Sequence, residues 1–139
     1  VSDSPYQGGI GSRREARERA LALLYEAESK SITPAEVVAA QAVVPESFAI
    51  ELVEGVGEHL DEIDATIRAY AEGWTLERMP SLDRALLRVG IFELTYRPEI
   101  PTGAVISEAV ELAKTFSTDS SGKFVNGLLS AVAADLRPA

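Results

Sequence analysis

A helical apolar rhythm runs through most of this chain, and no strand pattern interrupts it. Leu82, Leu86, Val89, Phe92 and Tyr96 form its strongest instance. Their spacing keeps all five side chains on one face of a helix of 3.6 residues per turn. The same rhythm links Ala16, Ala20, Leu23, Leu24 and Ala27 near the start. It returns in Phe48, Leu52, Val53, Val56, Leu60, Ile63, Ile67 and Tyr70, then in Val105, Ile106, Ala109, Val110, Ala113 and Phe116, and finally in Phe124, Val125, Leu128, Leu129, Val132 and Leu136. Strict apolar–polar alternation bounded by turn residues, the mark of a half-buried strand, is missing throughout. The expectation is an all-α helical bundle of six to seven helices joined by short loops.

Local signals place the boundaries. Residues 1–11 read as a flexible N-terminal tail, and Ser12 with Glu15 as a capping box opening the first helix. Thr33-Pro34-Ala35-Glu36 is a second capping box, with Pro34 at the tolerated first position of a short helix reaching about Ala42. Gly55 and Gly57 weaken the next apolar run, so it should break near Gly57–Asp61. Gly73 and Pro80 bracket a connector holding Trp74 and Met79, Pro98 and Pro101 end the strongest helix, and Thr118 to Gly122 reads as a polar loop.

Composition narrows the function classes. The chain has no cysteine, so disulfides and thiolate metal sites are excluded. No apolar run is long enough to cross a bilayer, and Val1–Ser12 lacks the apolar stretch of a secretory leader, so the expected location is the cytoplasm, away from any membrane. The single His59 has no nucleophile to activate, and no Gly-x-Ser-x-Gly segment accompanies the serines. Glu58 to Asp64 lacks the alternating oxygen ligands of a calcium loop. Ser120-Ser121-Gly122-Lys123 resembles the tail of a phosphate-binding loop but lacks its upstream glycine and preceding strand. A binding protein is expected rather than an enzyme, with no catalytic residues, metal or cofactor.

The net charge of −9 argues at first against a polyanionic ligand. It is unevenly spread, however. Residues 31–66 hold eight acidic side chains and no lysine or arginine, whereas residues 1–30 hold five of each sign. Glu51, Glu54, Glu58, Asp61, Glu62 and Asp64 read as a solvated helix face. Arg13, Arg14 and Arg17 lie close to a helix start, where the macrodipole makes each cation cost about 0.3–1 kcal/mol. Arg14 and Glu18 could form an i, i+4 pair, while Arg13 and Arg17, one turn apart, suit successive phosphates. Salt-bridged solubilisation is the plainer reading of the same residues. Ser120, Ser121, Lys123, Phe124 and Asn126 offer hydroxyls, a cation, a ring and an amide, the contacts used on single-stranded RNA. Phe124 also fits the core stripe of the last helix.

These segments carry a resemblance. Arg13-Arg14-x-x-Arg17 ahead of Leu24-Tyr25, Trp74-Thr75-Leu76-Glu77-Arg78, Asp83-Arg84-Ala85-Leu86-Leu87-Arg88 and Glu93-Leu94 resemble the NusB family of bacterial transcription antitermination factors. The most specific parts are Glu108-Ala109-Val110-Glu111-Leu112-Ala113-Lys114-x-Phe116 and Lys123-Phe124-Val125-Asn126-Gly127-Leu128-Leu129. The Ser-Thr-Asp-Ser-Ser stretch after Phe116 is similar to actinobacterial members. The resemblance implies one NusB-like domain over 12–139, divided into subdomains 12–72 and 73–139. It implies pairing with NusE, a ribosomal small-subunit protein, and joint binding of the single-stranded boxA RNA of ribosomal RNA transcripts. That assembly joins the RNA polymerase antitermination complex, and a homodimer is an alternative assembly. Arg13, Arg14, Arg17, Ser120, Ser121, Lys123 and Phe124 are the implied RNA contacts. NusE is expected mainly against the C-terminal helices, with Arg84 and Arg88 as candidate partner contacts or as plain salt bridges. The sparse cations imply reliance on the partner for RNA affinity. A NusB-like interaction scaffold without RNA binding of its own is the alternative. An RNA-methyltransferase appendage is disfavoured, as no methyl-donor motif is present.

Overall fold

The computed structural model describes residues 9–138, with side chains from Arg13 onward. They form α1 (Gly9–Lys30), α2 (Pro34–Ala39), α3 (Ser47–Glu58), α4 (Leu60–Tyr70), a 3-10 turn (Leu76–Arg78), α5 (Ser81–Tyr96), α6 (Thr102–Phe116) and α7 (Asp119–Leu136). Among the described residues there is no strand, and no helix is long and apolar enough to cross a membrane. The expected tail lies largely outside the described residues.

α5 is the axis of the fold and packs against α1, α3, α4, α6 and α7. This is why its sequence shows more than one apolar face. Leu87, Ile91 and Leu94 are buried along with the Leu86–Val89–Phe92 stripe. Two glycines allow its neighbours to approach. A Cβ at Gly55 on α3 would fall 2.3 Å from carbons of the Phe92 ring, and one at Gly90 would fall 2.8 Å from Leu129 on α7. Gly55 therefore serves close packing rather than the helix break. That break comes at His59, between α3 and α4, inside the expected interval.

The Thr33–Glu36 capping box forms as its sequence suggests: the Glu36 N–H donates to Thr33 Oγ1 and the Thr33 N–H donates to Glu36. The short helix stops at Ala39, three residues early. Two other boundaries differ more. α1 begins at Gly9, so Ser12 lies inside the helix and does not cap it. Its early turns are held from outside by the arginine contacts described below, and extending a helix so anchored adds one bond per residue fixed. α7 begins at Asp119, so the expected 118–122 loop is instead a cap and a first turn. The Ser121 N–H donates to the Thr118 side chain (3.0 Å), giving the N-cap bond that a helix start needs. At the far end of α7, Arg137 donates to the carbonyls of Glu93, Leu94 and Arg97, satisfying the C-terminus of α5, and to Ile100 in the next loop.

Candidate nucleic-acid and partner interface

The three arginines of α1 have different surroundings. Arg17 is buried at 5% exposure and forms a two-pronged ion pair with Glu93 of α5, itself 1% exposed. Its Nε and Nη2 lie 3.0 and 2.6 Å from the two carboxylate oxygens. The guanidinium of Arg13, also buried, sits 3.9 Å from the centre of the Phe48 ring, and that of Arg17 sits 5.5 Å from the same ring. Arg14 pairs with Glu108 on α6, through bonds of 3.0 and 2.7 Å, and not with Glu18. Its side chain stays 43% exposed. The hydrogen bond from Arg14 holds the Glu108 carboxyl below the usual glutamate range, and the same bond raises Arg14. With α1 starting at Gly9, all three stand at least a turn inside the helix, where the dipole penalty has largely faded.

The second expected edge divides in the same way. Ser120 and Lys123 are exposed, whereas Ser121 is buried. The Ser121 hydroxyl donates to Asp83 at the start of α5 (2.9 Å) and meets Ser117 and Thr118. Phe124 is half-buried, packed partly on the core and partly beside the Trp74 ring. Asn126 is exposed, with Ser130 at 3.4 Å. Each edge is fastened to α5, one at Glu93 and the other at Asp83. Ten residues separate those anchors, about 15 Å along a helix axis.

Arg84 and Arg88 act as internal ties. Arg84 donates to the carbonyls of Leu76 and Met79 and pairs with Glu28 of α1. Arg88 holds both oxygens of Asp64 on α4 at 2.8 and 2.9 Å and reaches Glu28. Burial pushes the Glu28 carboxyl up, but hydrogen bonds from Arg84 and Ser81 leave it below the usual range. Asp64 is thus buried rather than part of a solvated face, and Glu51 pairs with Arg97. His59 is no free surface group: its ring stacks on Tyr96 with centroids 4.0 Å apart.

Several features escaped the sequence reading. Phe116 is about half exposed although it continues the α6 stripe, and Tyr25 is equally exposed on α1. With Leu21, Ala22 and Leu82 they line an apolar groove of about 540 Å³, rimmed by Glu15, Glu18 and Arg19. Trp74, the chain's single tryptophan, is also exposed. A large aromatic at the edge of its stripe is the only sequence signal for such positions. Among the described residues no group of three or more acidic or histidine side chains is placed to hold a metal.

The NusB family model matches residues 14–134. The chain belongs to the NusB family. The transcription antitermination protein NusB of Paenarthrobacter aurescens is 48% identical over 124 residues, covering 86% of this chain and 91% of that protein. Among solved structures, NusB of T. maritima matches with a TM-score of 0.79 at 32% identity, covering 88% of this chain and 91% of that one. A chain from the crystal structure of antitermination factors NusB and NusE in complex with double-stranded RNA matches with a TM-score of 0.77 at 29% identity, covering 91% and 98%. The all-helical NusB fold is therefore the fold of this chain.

Proposed function

We propose that this chain is a transcription antitermination factor that works with NusE in the cytoplasm. Together they bind the single-stranded boxA RNA of ribosomal RNA transcripts and help RNA polymerase resist termination. The protein acts by binding, not by turnover. The observation that carries this reading is the agreement in fold with the NusB–NusE–RNA complex over nearly the whole of both chains.

The local geometry supports a division of labour. Arg14, Ser120, Lys123 and Phe124 are accessible enough to touch RNA. Arg17 and Ser121 hold the two edges on α5 from inside, and Arg13 stiffens the α1 edge through its stacking on Phe48. NusE docks on the groove between Tyr25, Leu82 and Phe116, where two half-exposed rings form a concave apolar floor of the kind found at the core of partner interfaces. Arg84 and Arg88 serve that site indirectly, by fixing α1 and α4 to α5. A filter-binding titration with boxA RNA, with and without NusE, tests the reading. Binding should be weak alone, tighten with NusE, and show a shallow salt slope of about −1 to −3, as expected for roughly two to four phosphate contacts to a single strand.

The net charge of −9 and the pairing of Arg14 and Arg17 with carboxylates favour a second reading, a NusB-like scaffold without autonomous RNA binding. Failure to bind RNA even with NusE present would select it. The solution mass of each mixture distinguishes monomer, homodimer and heterocomplex.

A further inference from the structure

We propose that Trp74 is a base-stacking residue, forming with Phe124 an aromatic platform for one unpaired base of the RNA. The proposal rests on the RNA-binding reading above and adds a residue and a subsite to it. Trp74 lies in the connector between α4 and α5, bracketed by Gly73 and Pro80. Its indole leans on the Phe124 ring, with centroids 6.0 Å apart and planes at 49°. Phe124 is fixed from behind by the core, yet Trp74 is still 53% exposed. An indole is the largest apolar side chain available. One held in place by a ring and left half open to water has a π-face without a partner.

The charges around it favour a nucleotide over an apolar peptide. Most basic side chains of the described residues are tied to carboxylates, carbonyls or amides, among them Arg14, Arg17, Arg19, Arg84, Arg88, Arg97 and Arg137. Arg78, Lys114 and Lys123 are exposed, and none of the ion pairs among the described residues includes them. Two adjoin the pair in sequence and the third packs at the start of the helix that carries Phe124. Arg78 is four residues beyond Trp74 in the same connector, Lys123 adjoins Phe124, and the Lys114 side chain runs past Gly122 in the first turn of α7. Stacking on an aromatic side chain with cations placed for the flanking phosphates is how single-stranded nucleic acid is held without reading its sequence.

The test uses the full chain, NusE and a fluorescently labelled single-stranded RNA oligonucleotide carrying boxA. Anisotropy reports binding independently of the tryptophan. Trp74 emission is taken as the difference between the parent and the Trp74→Phe variant, which also removes any signal from NusE. The expected results are quenching of Trp74 on adding RNA, about tenfold weaker binding by Trp74→Ala, and near-parental binding by Trp74→Phe. Because Trp74 is exposed, both variants should melt at the parental temperature. If Trp74→Ala binds RNA as the parent does, the platform is refuted while the RNA-binding function stands. An emission change that is complete on adding NusE alone would also overturn it, making Trp74 a protein contact. Absence of RNA binding by the parent complex would overturn both.

Discussion

Replacing Arg17 by alanine separates a structural role from RNA contact at the residue where sequence alone left both open. The residue is 5% exposed and its partner Glu93 is 1% exposed, with both prongs of the pair at hydrogen-bonding distance. Arg17→Ala leaves a buried carboxylate in the last turn of α5 without its counter-charge. Removing one member of a buried pair costs about 3–5 kcal/mol. A domain of 139 residues has a total stability of about 7–20 kcal/mol, so the loss is a large fraction of it. The melting temperature should fall by about 10–20 °C, and the urea midpoint should fall with little change in slope. The double variant Arg17→Met plus Glu93→Met tests the cause. It removes both charges and keeps the volume, and such exchanges are often neutral or better. It should recover most of the lost stability and, once folded, bind boxA RNA with NusE much as the parent does. Two results would refute the reasoning: an Arg17→Ala protein within about 1 kcal/mol of the parent, or a stable double variant that no longer binds RNA. The second would show that the guanidinium itself reaches the phosphate backbone.

Two further outcomes follow from the same geometry. Alanine normally favours a helix over glycine by about 1 kcal/mol, but Gly55→Ala would set a methyl 2.3 Å from the buried Phe92 ring, so the net effect should be a loss of about 1–3 kcal/mol; a thermal melt showing a gain would contradict the packing. Because Arg14 holds Glu108 below the ordinary carboxyl range, the tie between α1 and α6 is fully present above that range and is lost as pH falls through the lowered value. Urea titrations from pH 7 to 3 should show the stability difference between the parent and Glu108→Gln constant down to about pH 5 and shrinking below it; parallel curves at all pH values would be the contrary result.

The helices were legible because their burial pattern is local. A stripe such as Leu82–Tyr96 shows its period whatever it packs against. The start of α7 was misread because Thr118 can serve a loop or a cap, and only the Ser121 N–H in front of its hydroxyl decides between them. The candidate site was legible as a set of segments but not as a set of roles. Arg17 meets a partner 76 residues away and Arg14 one 94 residues away. No spacing rule on α1 distinguishes a guanidinium that faces water from one that faces Glu93. Ser120 and Ser121 are chemically identical neighbours, yet one is exposed and the other is fastened to Asp83. Phe116 shows the converse failure, since the α6 stripe continues past the edge of the core and its last ring lies in the open groove.

The charge distribution then has a mechanical interpretation. A chain of net charge −9 gains little from long-range attraction to RNA, so it cannot rely on a broad basic face. Its arginines largely hold helices together: Arg17 and Arg14 fix α1 to α5 and α6, Arg84 and Arg88 fix α1 and α4 to α5, and Arg137 closes the end of α5. Among the described residues, what remains for a polyanion is small and local, namely Arg14, the start of α7 and the Trp74 connector. Such a surface can position a few nucleotides but supplies little affinity. The acidic rim and apolar floor of the Tyr25–Phe116 groove are on a different face of chemistry, suited to protein and not to phosphate. Under the proposed function, an acidic chain with one small nucleotide surface and one partner groove would need its partner to complete the RNA site. On that reading the arginine-rich start of α1 would contribute chiefly by keeping both surfaces in place, through its ties to Glu93, Glu108 and Phe48.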